Sequence, residues 1–350
     1  MKILDDTKLD FTDVLILPKR SQYSSRSEVS LERTFRFKYS SYIWKGVPIM
    51  VSNMDTTGTI EMAMELQKHQ ILTCLHKYYT AEDLSILVKE QKLNPDYFAV
   101  STGIGDKDLQ NLDQIMREVD PIFICIDVAN GYMSKFIETC RLIRDKYPDK
   151  VLIAGNVCTS DGVLELVMEG KVDIVKVGIG SGSCCTTRKQ TGIGMPQLSA
   201  VIECADMAHG LDAHIISDGG LQVVGDFSKA YGGGADFVMS GSMFAGHDES
   251  AGEIITDPIT SKQYKIFYGM SSDTAMNKYS GGVAHYRSSE GKTVKIVYRG
   301  PVSNTILNIQ GGIRSAMTYI GAKKIKDIPK CTTFARVNRQ LNTIYNGNEV

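Results

Sequence analysis

The sequence predicts an α/β fold, a (β/α)8 barrel, on three observations. Eight short runs rich in apolar and β-branched residues recur, mostly a little over twenty residues apart. Amphipathic stretches lie between them. The period breaks only twice, and both breaks come late in the chain. Apolar strands alternating with helices signal βαβ units and a parallel sheet, and eight such units suggest closure into a barrel. An open, doubly wound sheet shares the alternation and is the structural alternative.

In order, the strands read VPIMVS (47–52), ILTCL (71–75), YFAVS (97–101), IFICID (122–127), VLIAG (151–155), DIVKV (173–177), HIISD (214–218) and DFVMS (236–240). Between them IEMAMELQKH (60–69), AEDLSILVKEQ (81–91) and KDLQNLDQIMREV (107–119) carry helical periodicity. About forty residues separate the sixth and seventh strands, which leaves room for a long loop. A second insert, about 253–300, follows the eighth strand, and helical periodicity resumes at 303–321. Long inserts in a compact domain are usually functional loops or flaps. No Pro- or Ser-rich linker divides the chain, so residues 1–350 read as a single barrel domain with two elaborated loops.

Composition narrows the function. The 350 residues carry a formal net charge of -1 and no long Lys/Arg block, which disfavours nucleic-acid and membrane-surface binding. No apolar run is long enough to span a bilayer. The opening MKILDDTKLDF is acidic and lacks the apolar core of a signal peptide, so a cytoplasmic location is expected. The 8 cysteines contain no C-x-x-C and no zinc-finger spacing, which fits reduced thiols.

Barrel active sites lie at the C-terminal ends of the strands. Here those ends are polar: SNMDT after strand one, HK after strand two, DVAN after strand four, Asn156 after strand five, SDGG after strand seven and SGS after strand eight. Any one of these is compatible with a solvated turn. Their concentration, with a thiol among them, favours a site. The Gly-containing turns after strands seven and eight let backbone N–H groups approach a phosphate, and Asp218 suits ribose hydroxyls. Together they suggest a nucleotide.

The sixth strand runs into GIGSGSCCTTRKQTGIG (178–194). No G-K-[ST] follows the glycines, so this is no P-loop. Neighbouring cysteines disfavour a disulfide, and a transition-metal site lacks ligands. What remains is a nucleophile in a mobile loop, or inert thiols in a Gly-rich turn. Glu290, in the second insert, is a candidate proton acceptor if the flap folds over the pocket; as an isolated flap carboxylate it is equally a solvated charge.

These residues resemble the IMP dehydrogenase/GMP reductase family. The cysteine loop, SDGG, GGADFVMSGSMFAGHDES and YGMSS match its motifs in order, and the likeness runs from DFTDVLILPKRS (10–21) to GGIRSAMTYIGA (311–322). The chain has no room for the CBS modules that dehydrogenases of the family generally insert. NMDTTGT (53–59), LHKYYT (75–80), DVANGY (127–132) and SSEGKTV (288–294) are similar to the reductase versions. The resemblance implies NADPH-dependent reductive deamination of GMP to IMP and ammonia, in purine salvage, through a covalent thioimidate. The alternative is NAD-dependent oxidation of IMP to XMP.

The resemblance also assigns residues. Cys185 matches the nucleophile of G-S-x-C-T, while Cys184 falls on the variable position. Thr187 and Glu290 match the pair that passes a proton to the leaving amine. GMP contacts fall on Asp218, Gly219, Gly220, Gly241, Ser242, Gly269, Met270, Ser271, Arg287, Ser288 and Gly291. Position 242 is Ser where the family pattern has Gly. NADPH contacts fall on Lys77, Asp127, Val128, Ala129, Gly180, Tyr286, Ser315, Ala316, Met317 and Thr318, with Ser25 and Arg26 reaching a neighbouring subunit's cofactor. A monovalent cation, K+, is expected on carbonyls of Gly180, Gly182, Cys185 and Arg188, and a homotetramer is expected.

Overall fold

The computed structural model describes residues 3–282, 285–286 and 288–338. All eight expected strands form, and they close into one parallel barrel in sequential order. They are β1 (Ile49–Val51), β2 (Leu72–Cys74), β3 (Phe98–Thr102), β4 (Phe123–Asp127), β5 (Val151–Val157), β6 (Ile174–Val177), β7 (His214–Asp218) and β8 (Phe237–Ser240). β8 pairs with β1 from Val238↔Ile49 to Ser240↔Val51, which completes the ring. The open-sheet alternative is thereby excluded.

Each strand is followed by a helix that covers its outer face. These are α1 (Ile60–Leu66), α2 (Ala81–Lys89), α3 (Asp106–Glu118), α4 (Ser134–Lys146) and α5 (Ser160–Met168). A short α6 (Thr187–Thr191) lies in the cysteine loop, before α7 (Gln197–Gly210) and α8 (Gly225–Gly232). Hydroxyl caps start several of them. Thr59, Thr80 and Thr159 accept from Met62 N, Asp83 N and Gly162 N, satisfying amides that a first turn leaves unpaired. After α9 (Asp273–Ser280), the long α10 (Val302–Ile320) closes the ring and ends on Gly321 at φ 75, where a side chain would be strained.

Residues alternate along each strand between two apolar regions. Val175 and Val177 of β6 face the helices, whereas Ile174 joins Met50, Leu72, Phe123 and Phe237 inside the barrel. The interior is a packed core rather than a channel. Its N-terminal end is plugged by an antiparallel hairpin, Arg33–Arg36 with Ile43–Gly46, which the strand periodicity did not reveal. The hairpin delivers Phe35 and Trp44, both 1% exposed, and Phe35 stacks on Phe237 at 4.3 Å between centroids. A second pairing outside the repeat joins Val14–Ile16 to Phe334–Arg336.

The insert after β8 folds as a small antiparallel sheet, β9 (Ile255–Thr256), β10 (Gln263–Tyr268) and β11 (Thr293–Val297), with α9 between its last two strands. It lies against the C-terminal end of the barrel. Among the described residues, no helix is long and apolar enough to cross a membrane.

Candidate active site

A cavity of about 480 Å³ opens at the C-terminal end of the barrel, and all eight strands contribute to its wall. Ser52 to Met54 follow β1, Lys77 and Tyr78 follow β2, Asp127 ends β4, and Val128 and Ala129 follow it. Asn156 comes from β5, Lys176 from β6, Asp218 to Leu221 from β7 and Ser240 to Ser242 from β8. The insert adds Phe267, Gly269 to Ser271, Ala275, Met276 and Glu290.

The cysteine loop meets the insert across this cavity. The Cys185 thiol donates to Thr187 Oγ1 at 3.1 Å, and that hydroxyl donates to Glu290 Oε2 at 2.6 Å. Backbone bonds fix the arrangement: Thr186 N donates to the Glu290 carbonyl at 2.7 Å, and Lys292 N to that of Cys184 at 2.9 Å. A flap glutamate that the sequence leaves between two readings is thus in contact with the cysteine loop. The two thiols differ in setting. Cys184 is 4% exposed, packed with Ala245 and Phe267, and burial pushes its thiol up. Cys185 is half-buried and lines the cavity.

Two features explain the loop's glycines. At Gly178 a Cβ would sit 2.3 Å from the Asp218 carbonyl, so the loop can leave β6 close against β7 only without a side chain. Gly180 (φ 76) and Gly194 (φ 153) enclose the stem of Arg188, where a Cβ would come within 2.6 and 2.8 Å of it. The Arg188 guanidinium then pairs with Asp10 at 3.0 Å and donates to the Met195 carbonyl at 2.6 Å.

The floor of the cavity holds a group that the sequence reading missed. Lys176, 2% exposed, points up the barrel from β6. Its Nζ lies 3.1 Å from Asp127 Oδ1, 3.4 Å from Asp218 Oδ2 and 3.3 Å from Asn53 Oδ1. Burial alone would favour the neutral amine, but the two carboxylates outweigh it and hold the ammonium well above the usual lysine range. Asn53 and Asn156 complete the network through Asp127 Oδ2 at 2.7 Å and Asp218 Oδ2 at 2.9 Å. Asn156 Oδ1 is buried without a partner among the described residues, an acceptor turned toward no protein donor. The available signal was the lysine inside DIVKV: a charge in a strand covered on both faces needs a buried partner.

The insert is also anchored at β1. Asp55 Oδ2 accepts from Tyr268 at 2.5 Å, Tyr279 at 2.7 Å and Lys278 at 3.0 Å. Tyr279 stacks on Tyr78 at 3.6 Å between centroids, and burial pushes the Tyr78 phenol up to about 12.

Most of the expected site residues line the cavity: Cys185, Thr187, Glu290, Asp218, Gly219, Gly220, Gly241, Ser242, Gly269, Met270, Ser271, Lys77, Asp127, Val128, Ala129, Gly180 and Gly182. Lys77 is paired with Asp108 at 3.1 Å. Gly291 bridges Cys185 and Ser272 through backbone contacts. Ser288 is exposed, and its hydroxyl donates to Gln190 at 3.4 Å. Tyr286 is 95% exposed and away from the wall. Arg287 lies outside the described residues.

Ser25, Arg26 and the 315–318 segment do not reach this cavity. The Arg26–Glu28 turn packs on α10, and Arg314 donates to the Val29 carbonyl at 3.3 Å. The two segments therefore share one outer face. Ala316 lines a separate apolar hollow there with Ile16, Pro18, Tyr319 and Ile320. Met317 is fully buried in the core on the inner side of α10, so its side chain is not available to a ligand.

Comparison with known proteins agrees with this geometry. The profile of the IMP dehydrogenase / GMP reductase domain matches residues 8–342. GMP reductase 1 of Mus musculus is 54% identical over 341 residues, 97% of this chain and 98% of its own. GMP reductase of Phytophthora infestans is 53% identical over 348 residues, covering 98% and 94%. GMP reductase 2 of Homo sapiens is 53% identical over 348 residues, covering 97% of each. With a profile spanning nearly the whole chain and relatives this similar, the protein belongs to the IMP dehydrogenase/GMP reductase family.

Proposed function

We propose that this protein is a GMP reductase, catalysing GMP + NADPH + H+ → IMP + NH3 + NADP+. The observation that carries the reading is the continuous chain from the Cys185 thiol through Thr187 to Glu290 at the cavity wall. The named relatives, all GMP reductases, support it over the dehydrogenase alternative.

The chain of hydrogen bonds gives the thiol proton a path. Cys185 Sγ bonds to C2 of the guanine base as its proton passes through Thr187 to Glu290. Glu290 returns the proton by the same hydroxyl to the C2 amine, which departs as ammonia and leaves a thioimidate on Cys185. The NADPH nicotinamide, when bound, supplies the hydride that reduces C2. The C–S electron pair then returns to Cys185, and a solvent proton restores the thiol. Thr187 can serve both transfers because a hydroxyl donates and accepts.

The residues present fit both expected ligands. Asp218 with the Gly219–Gly220 and Gly241–Ser242 turns suits a ribose and a phosphate. The unpartnered Asn156 Oδ1 offers an acceptor beside Asp127, Val128 and Ala129, which would hold the nicotinamide half. Lys77 at the rim, with Arg26 from a second subunit, suits the extra phosphate of NADPH. Carbonyls of Gly180, Gly182, Cys185 and Arg188 would supply neutral oxygens of the kind K+ takes. A homotetramer in the cytoplasm completes the reading, since the face carrying Ser25, Arg26 and Ser315 lies away from its own cavity.

The test is cofactor absorbance with two substrate pairs. NADPH oxidation with GMP, and no NAD+ reduction with IMP, supports the reading. The reverse pattern makes the protein a dehydrogenase and overturns it.

A further inference from the structure

The proposed reaction uses Cys185, Thr187 and Glu290 and leaves Lys176 without a role. That ammonium is fully buried, lies at the centre of the cavity floor and is the only cation within 4 Å of either carboxylate among the described residues. Asp127 and Asp218 come from different strands, β4 and β7, and on the proposed function they serve different ligands, the cofactor and the GMP ribose. Their own surroundings leave each short of partners. Asp218 has one further side-chain donor, Asn156, and Asp127 has one, Asn53. Both carboxylates are partly buried, 34% exposed at Asp127 and 18% at Asp218, so without the ammonium each would turn toward water or a new donor.

We propose that Lys176 is a positioning residue shared by the two halves of the site: one ammonium holds Asp218 for the GMP ribose and Asp127 for the cofactor, so that a change at one carboxylate is felt by the ligand of the other. The inference rests on the proposed function for the identity of the ligands. Its physical basis is a charge imbalance, two partly buried carboxylates sharing one fully buried cation. Loss of the cation leaves like charges facing each other, and loss of one carboxylate lets Lys176 relax toward the remaining one. A space-filling lysine predicts no such communication.

Calorimetric GMP binding without cofactor tests this through a double-mutant cycle of Lys176→Met and Asp127→Asn. Lys176→Met weakens GMP binding by about tenfold or more, the scale of a buried pair losing one partner. Adding Asp127→Asn to it restores at least half of that loss on a logarithmic scale, because the repulsion is gone. Asp127→Asn alone, although it removes no contact to GMP, shifts GMP affinity by about threefold or more. This last variant keeps the inference testable if Lys176→Met fails to fold. Additive effects, or an Asp127→Asn variant with unchanged GMP affinity, overturn the shared role. Absence of GMP binding by the unmodified protein would instead sink the proposed function.

Discussion

The two ends of the barrel each set two carboxylates against buried or half-buried cations, and they treat them oppositely. At the N-terminal end Asp236, 1% exposed at its side chain, is fully engaged. It accepts from Arg33 at 2.6 Å, His209 at 2.8 Å and the Ile215 amide at 3.0 Å, with His214 at 3.4 Å. Asp173 is held in the same way by Arg144 at 2.5 Å and by the Tyr39 and Leu152 amides. At the C-terminal end two carboxylates share Lys176, an amide oxygen has no partner among the described residues, and the cavity opens directly above. Satisfied charges lock the hairpin plug and α4 to the barrel and present nothing to a ligand. Under-paired ones leave capacity for a substrate. The difference separates residues that hold the fold from residues that bind.

The comparison predicts opposite phenotypes. Cys185→Ala, at the C-terminal end, lowers turnover by a factor on the order of 10³ or more while GMP affinity stays within about threefold. Cys184→Ala retains turnover; a dead Cys184→Ala and an active Cys185→Ala would reverse the assignment of the nucleophile. Asp236→Ala does the converse. It leaves Arg33 without its buried partner and costs about 3–5 kcal/mol of stability, read as a lowered denaturant midpoint. The KM for GMP of the folded fraction stays unchanged, and a stable Asp236→Ala variant with weakened GMP binding would break the division. Glu290→Gln keeps the backbone bond to Thr186 but loses the proton carrier. It slows turnover by about 10²-fold with little change in GMP affinity, and ordinary turnover removes Glu290 from the relay.

The smallest expected effect is a pH dependence confined to the N-terminal end. The hydrogen bond to Asp236 holds His209 above the usual histidine value, although burial opposes its charge. A raised histidine contributes stability fully below its unfolded value, about 6.5, and loses it as pH rises through the folded one. Burial opposes the Asp236 charge too, but His209, His214 and Arg33 hold its carboxyl far below the carboxylate range. That contribution is present above about pH 4 and fades only in strong acid. The melting temperature of His209→Gln therefore falls below that of the unmodified protein by about 1–2 °C near pH 6, and the gap closes as pH rises through the raised histidine value. A gap that widens with pH would contradict the assignment.

The two ends also differ in how far they were legible. The eight strands were readable because each is an apolar run covered on both faces, and all eight closed as the period implied. The C-terminal end was readable in its loops, since SDGG, SGS and the cysteine loop punctuate the strand ends. Lys176 was not, because a lone lysine in DIVKV shows its meaning only when β4 and β7 are brought beside it. The N-terminal plug was not either. Phe35 and Trp44 belong to a hairpin outside the repeat, and their burial follows from a contact with β8 some two hundred residues later. Glu290 lies between these cases. Its chemistry was legible and its position was not, since it depends on backbone bonds between the insert and the cysteine loop.

In the proposed reaction the Cys185 thiol exchanges the C2 amine of GMP for a hydride. The most direct test measures ammonia, IMP and oxidised cofactor in a single reaction of GMP with NADPH. One ammonia and one IMP for each NADPH oxidised is the predicted result. Cofactor oxidation without ammonia, or formation of XMP, would contradict it.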